Sequence, residues 1–259
     1  MTEPGPIVLL AGPGDSTNIV FNYLASRFCN VVAVVEEPVP RMQIARRRAK
    51  RLGWPTVSGQ MAFVGVAMPF LQWRARDRVG QILEEAGLDT TPISDAKSVG
   101  SVNSPETTTL LRGLEPAVIV VNGTRIISSA VLSSVDSTFV NTHAGITPRY
   151  RGVHGGYWAL RDHRTDLVGT TVHLVDPGID TGGVLAQGTF ESGPDDSMAT
   201  YPYLHLACGL PLLADCVKQI VDGGVPKQVE SLDKSGDSTL RWHPTLWGYL
   251  RGRVFDHVR

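Results

Sequence analysis

The chain has 259 residues, 42% hydrophobic and 19% charged, with a net charge of -1. That length allows one large domain, or a medium domain with an appendage. The neutral balance lacks the basic footprint that a nucleic-acid partner requires, so none is expected.

Three cysteines, Cys29, Cys208 and Cys216, form no CxxC pair. A reduced, cytoplasmic setting without a zinc ribbon is expected. The N-terminal MTEPGPIVLLAGPGDS has no basic n-region and too short an apolar run for a signal peptide. The later apolar run Met61 to Leu71 contains Pro69 and is too short to span a bilayer, so no membrane partner is expected.

In chain order, Pro6 to Ala11 reads as a buried strand, followed by a Gly12-Pro13-Gly14-Asp15 turn. Asp15 or Ser16 can cap the next helix, where Ile19, Val20, Tyr23, Leu24 and Phe28 keep helical spacing. Asn30 to Val35 is a second strand ending at Glu36-Glu37. Strand, glycine loop, helix, strand and acid also resemble a dinucleotide fingerprint, but Thr17 stands where its third glycine belongs. Arg41 to Arg51 carries six basic residues on an expected helix, a solvated face or a contact for a phosphate-bearing substrate. Val57 to Pro92 reads as helical, with Gly87 ending the stripe of Val79, Ile82 and Leu83. Ser104-Pro105 is a helix start.

Pro116 to Val121 is a further core strand, followed by the loop Asn122 to Ser128. An apolar strand near Ser137 to Asn141 then leads into FVNTHAGITPRYRGVHGG. A strand's side-chain period of two sends Asn141 and His143 to the same side. Gly169 to Val175 is the next strand, running into Asp176-Pro177-Gly178-Ile179-Asp180, and Val184 to Phe190 is expected to return on it as an antiparallel hairpin. A helical stretch over Tyr203 to Val221 is expected to break at Gly209 and Pro211. From Glu191 onward, seven Lys/Arg face nine Asp/Glu. The alternation of elements argues an α/β, Rossmann-like doubly wound, mostly parallel sheet with a small C-terminal extension. The expected boundary separates residues 1–190 from 191–259.

Singly, Asn141 could cap a strand, His143 could be a satisfied loop histidine and Asp180 could only shape a turn. A metal site from His143, His154, His173 and Asp180 is disfavoured: none falls at i, i+3 or i, i+4 on one helix, and HExxH is absent.

The span Phe139 to Gly183 resembles the formyltetrahydrofolate-dependent formyltransferase family. The resemblance rests on Asn141-x-His143, on Pro148-x-Tyr150-Arg151-Gly152 after it, and on Asp176-x-Gly178-x-Asp180-x-Gly182, with 37 residues from His143 to Asp180. It extends over about residues 6 to 190. It implies 10-formyltetrahydrofolate as co-substrate, no metal, and Asn141, His143 and Asp180 as catalytic groups. Asn141 and His143 would serve the formyl oxygen, and Asp180 would take the amine's proton. By the same resemblance Arg125 and Ile127 match a segment whose backbone reads the pterin, with Asp176, Gly178 and Ile179 beside it. Ser16, Thr17 and Asn18 would hold a substrate phosphate, and His154 and His173 would contact substrate.

Where many relatives read Ser-Leu-Leu-Pro, this chain has Gly145-Ile146-Thr147-Pro148, for which a cis Thr147–Pro148 bond is expected. The short, slightly acidic tail argues against charged tRNA as substrate. A nucleotide-linked amino sugar is preferred as acceptor, since Trp242, Trp247 or Tyr249 could stack on a base. Glycinamide ribonucleotide is the alternative. Hydrolysis of formyltetrahydrofolate is a third reading, disfavoured because the chain starts directly at its first strand. A folate- or sugar-nucleotide-binding module is the non-enzyme reading. The expected partners are a small-molecule amine and a second copy of the chain in a homodimer.

Overall fold

The computed structural model describes residues 5–258. Its first half alternates strands with helices. In order come β1 (Ile7–Ala11), α1 (Asp15–Ala25), β2 (Val31–Glu36), α2 (Arg41–Leu52), α3 (Trp54–Ala62), a π-helical turn (Phe63–Ala67), α4 (Met68–Arg74), α5 (Arg76–Glu85), β3 (Lys97–Val99), α6 (Pro105–Leu114), β4 (Val118–Asn122) and α7 (Ser129–Leu132). There follow β5 (Thr138–His143), β6 (Tyr150–Gly152), α8 (Gly155–Arg161), β7 (Gly169–Leu174), β8 (Val184–Thr189), α9 (Tyr201–Val221), β9 (Thr239–Arg241) and α10 (Leu246–Phe255).

Seven strands form one sheet in the order β3-β2-β1-β4-β5-β7-β8. Strands β3 to β5 are parallel, and β7 and β8 add the expected antiparallel hairpin. The strands are apolar on both faces because helices cover both. Ile7, Leu9, Val120, Val140 and Val172 face a core shared with α1 and α9, while Val8, Leu10, Ile119 and Phe139 face one shared with α6 and α7. This is the doubly wound architecture read from the sequence.

Several expectations change. The cap of α1 is Gly14, with no side-chain cap bond from Asp15 or Ser16. Its φ of 138° suits glycine, and the nearby hydroxyl of Thr17 instead donates to the carbonyl of Gly12. Ser104 does cap α6, accepting from the N–H of Thr107. Helix α9 runs unbroken through Gly209 and Pro211. A Cβ at Gly209 would meet the methyls of Thr170 and Thr142, so the missing side chain brings the helix onto the sheet. By length and composition α9 could cross a membrane, yet Leu206, Leu210, Leu213 and Val217 are buried in the sheet core. Residues past 190 therefore supply core, and β9 pairs with β6 in a second, two-stranded sheet. The bond before Pro148 is cis.

Candidate active site

In an open parallel sheet the crevice lies beyond the carboxyl ends of the strands, where the strand order reverses. Here that point is between β1 and β4, and its β1 side is closed. A Cβ at Gly12 would lie 2.5 Å from the carbonyl oxygen of Gly123, so the two loops touch. Asn122 donates to the hydroxyls of Ser16 and Thr17, and Asn18 donates to the carbonyl of Thr90. Ser16, Thr17 and Asn18 therefore knit loops together and lie outside the lining of the cavity described next. Glu36, the acid of the dinucleotide-like pattern, is buried. It accepts from the N–H groups of Val102 and Arg125 and pairs with the Arg125 guanidinium at 2.9 Å. It positions the loop after β4.

The opening lies one strand over, at the ends of β4 and β5. There a cavity of about 510 Å³ is lined by Gly123 to Ile127, Asn141 to Ala144, His173 and the turn Asp176 to Asp180. Its other wall is Gly152, Val153 and the tail residues Leu240 to Trp242, with Arg48 from α2. Arg125 and Ile127 line the cavity, but the Arg125 side chain is spent on Glu36 and on the carbonyls of Gly100 and Glu37. What that segment offers the cavity is backbone. Asp176 shapes the turn, accepting from the N–H of Gly178 and the hydroxyl of Thr181.

Asn141, His143 and Asp180 come together. Register pairs Asn141 with His173 across β5 and β7, which places both at the cavity wall. Nε2 of His143 lies 2.7 Å from the carbonyl oxygen of Tyr150. A carbonyl only accepts, so that nitrogen carries a proton and Nδ1 is the one that can gain or lose its own. Nδ1 is 3.4 Å from Oδ2 of Asp180. Oδ2 also accepts from the N–H of Gly152 at 2.8 Å, while Oδ1 lies 3.8 Å from Nε2 of His173. Asp180 itself has φ 51°, a left-handed conformation that aspartate tolerates better than most residues. The carbonyl of Ile179 accepts from Arg151, which anchors the turn.

His173 is buried, and that burial pushes its pKa below the ordinary histidine value. His154 does not line the cavity. Its Nε2 lies 2.8 Å from Nδ1 of His243, and burial lowers the two pKa values to about 3 and about 4. Of the three tail aromatics, only Trp242 lines the cavity. Tyr249 is buried in a core with Phe63, Tyr157 and Tyr201, and Trp247 is exposed, lying against Gly59. Sequence reasoning did not single out Tyr150, Gly152 or Arg48 as site residues. The Tyr150-Arg151-Gly152 run was visible as a motif, but its carbonyl and amide contacts exist only once β6 is folded back.

The backbone strip after β4 offers polar contacts suited to a heterocycle bearing its own donors and acceptors.

Comparison with known proteins places this site in a family. A profile of the formyl transferase family matches residues 66–203, the segment that carries Asn141, His143 and Asp180. The methionyl-tRNA formyltransferase of Trichlorobacter lovleyi is 30% identical over 135 residues, 52% of this chain and 42% of that protein. The chain thus spans less than half the length of that curated relative. Among solved structures, the N-formyltransferase of Helicobacter canadensis, in complex with folinic acid and dTDP-3-aminofucose, superposes with a TM-score of 0.54 at 15% identity, over 91% of this chain and 71% of that one. Glycinamide ribonucleotide transformylase 1 of Symbiobacterium toebii gives 0.52 at 16% identity, over 84% and 89%. At those identities the likeness is one of fold, and the sequence match to the profile decides membership: this chain belongs to the formyl transferase family.

Proposed function

We propose that this chain is an enzyme transferring the formyl group of 10-formyltetrahydrofolate to the primary amine of a small metabolite. A nucleotide-linked amino sugar is the preferred acceptor. The observation that carries the proposal is the convergence of Asn141, His143 and Asp180 on one cavity wall, with His143 and Asp180 3.4 Å apart.

The folate would supply an activated formyl carbonyl, and the pterin would lie on the backbone of Gly123 to Ile127, beside Asp176, Gly178 and Ile179. This chain's residues then manage charge and one proton. The N–H of Asn141 not turned to His173 and the Nδ1 proton of His143 would serve the formyl oxygen as the amine attacks. Such aimed donors are each worth roughly a hundred- to a thousandfold in rate. Asp180 would accept the proton the amine loses, worth roughly a hundred- to ten-thousandfold. The new C–N bond forms as the bond to the folate nitrogen breaks, and the released proton ends on that nitrogen.

The preference for an amino sugar is supported by Trp242 on the cavity wall and by the Helicobacter canadensis neighbour, whose structure contains a dTDP-amino sugar. Glycinamide ribonucleotide is the second reading, supported by the comparable fold likeness to the Symbiobacterium toebii enzyme. The free cysteines suit a cytoplasmic setting. A homodimer has an apolar face available, where Phe70, Trp73 and Val66 are more than half exposed. Sedimentation of the wild type and of Trp73→Glu tests it, and a wild-type monomer would exclude it.

Loss of 10-formyltetrahydrofolate, measured with and without a panel of nucleotide amino sugars and glycinamide ribonucleotide, tests the function. Amine-dependent turnover supports transfer. Amine-independent turnover would make it a hydrolase, and binding without turnover a sensor.

A further inference from the structure

Three guanidinium groups reach the cavity wall, and two of them are neutralised. Arg125 pairs with Glu36 and Arg241 with Asp162. Arg48 has no carboxylate and no hydrogen-bonding partner among the described residues; it lies 5.9 Å from the centre of the Trp242 ring. Arg51, one turn on, lies 5.4 Å from the same ring. Helix α2 carries Arg41, Arg46, Arg47, Arg48, Lys50 and Arg51 and no acid. None of the six has an ion-pair partner among the described residues. Arg47 lines a shallower cleft with Gln43, Ser101 and Asn103, and that cleft shares Arg125 and Ile126 with the main cavity.

The floor of this corner is fixed in advance. Trp158 Nε1 donates to the carbonyl of Trp242, Gln60 donates to the carbonyl of His243, and the His243 ring meets His154. Trp242 is thus an apolar plate held in place beside Arg48, which has no ion-pair partner among the described residues. A surface run of arginines needs no ligand, because water solvates it. Arg48 differs: it is half-buried, and burial lowers its pKa. A partly desolvated guanidinium facing a cavity, with no anion to meet it among the described residues, is set up for an oxyanion from outside.

We propose that Arg48 and Arg51, beside Trp242, form an oxyanion subsite that holds the charged end of a substrate while its reacting end lies at Asn141, His143 and Asp180. This rests in part on the formyltransferase reading. The same chemistry could come from two sources, the phosphate of the acceptor or the glutamyl carboxylates of the folate.

Titration calorimetry on the full chain tests this with three probes: inorganic pyrophosphate, 5-formyltetrahydropteroate without glutamate, and the triglutamate of 5-formyltetrahydrofolate. Wild type is compared with Arg48→Gln and Trp242→Phe, each checked by its melting curve. If the source is phosphate, pyrophosphate binds the wild type, more weakly as salt rises, and Arg48→Gln weakens it about tenfold or more. If the source is the folate tail, the triglutamate binds the wild type more tightly than the pteroate does, and Arg48→Gln abolishes that advantage. Either result supports the subsite. It is overturned if Arg48→Gln binds both charged probes as the wild type does, or if neither charge confers affinity on the wild type. Failure of the formyltransferase reading is distinguishable, because then the pteroate does not bind at all, whatever pyrophosphate does.

Discussion

Nε2 of His173 accepts a hydrogen bond from the side-chain amide of Asn141 at 3.1 Å, while Nδ1 donates to the carbonyl of Leu174 at 2.7 Å. The Leu174 carbonyl fixes the proton on Nδ1, and burial favours the neutral ring. Nε2 is therefore an acceptor, and it orients the Asn141 amide with its second N–H free. His173 is a positioning residue: it acts through Asn141. His173→Ala should lower kcat about tenfold to a hundredfold with little change in the Kd for 5-formyltetrahydrofolate. His173→Gln, whose amide oxygen can still accept, should recover part of the loss. Steady-state kinetics on both variants checks this, and a His173→Ala enzyme with wild-type kcat would remove the role.

Asp180→Asn keeps the shape of the turn and removes the charge. The acid–base argument expects a loss of at least about a hundredfold in kcat. Folate affinity should hold, because Asp176 and not Asp180 makes the side-chain bonds that shape the turn. Single-turnover formyl transfer measures it, and a near-normal rate would take Asp180 out of the mechanism.

The clearest test of the His143 tautomer is a glycine. A Cβ at Gly145 would lie 2.6 Å from the carbonyl oxygen of Tyr150 and 3.0 Å from Nε2 of His143. Gly145→Ala must push these two apart. Overpacking of this sort costs about 1 to 3 kcal/mol, so the variant should melt several degrees lower. Activity should fall further than the lost stability accounts for, which assays well below the melting temperature will show.

Stability should depend on pH through three histidines that the fold desolvates, His205 fully buried and His154 and His243 partly so. Burial lowers His154 and His205 to about 3 and His243 to about 4, against an unfolded value near 6.5. The unfolded chain then binds more protons than the folded one, so stability is complete above about pH 6.5 and falls as pH drops from there toward 4. Each such histidine costs about 1.4 kcal/mol per pH unit across that window. Urea midpoints at pH 7.5 and 5.5 measure the slope, and His243→Gln should flatten it. A midpoint that rises on acidification would contradict the burial argument.

The strands that carry the core were legible because their apolar runs are bounded by glycine and proline, as at Ile7–Ala11 and Val118–Asn122. The catalytic candidates were legible because Asn141-x-His143, at the end of β5, and Asp180, in the turn after β7, stand in the motifs and spacing that carry the family resemblance. Helix α8 was not, since it opens on Gly155-Gly156, which reads as loop, yet a Cβ at Gly155 would strike the carbonyl of Ala144. Ser16 to Asn18 were placed in a phosphate site because a glycine loop before a helix does suit phosphate. Asn122, more than a hundred residues away, donates to the hydroxyls of Ser16 and Thr17 there, and no local pattern announces those bonds. Arg48 and Trp242 meet only through tertiary packing, so their shared corner could not be read from either segment.

The short ladder between β6 and β9 has a further consequence. Gly152, whose amide holds Asp180, sits in that ladder opposite Arg241, next to Trp242. A three-residue pairing opens at far lower free energy than the seven-stranded sheet. Transient fraying of this seam should therefore switch the protein off while its melting temperature stays put, and the Val153 amide, bonded to the carbonyl of Arg241, should exchange with deuterium well before the sheet does.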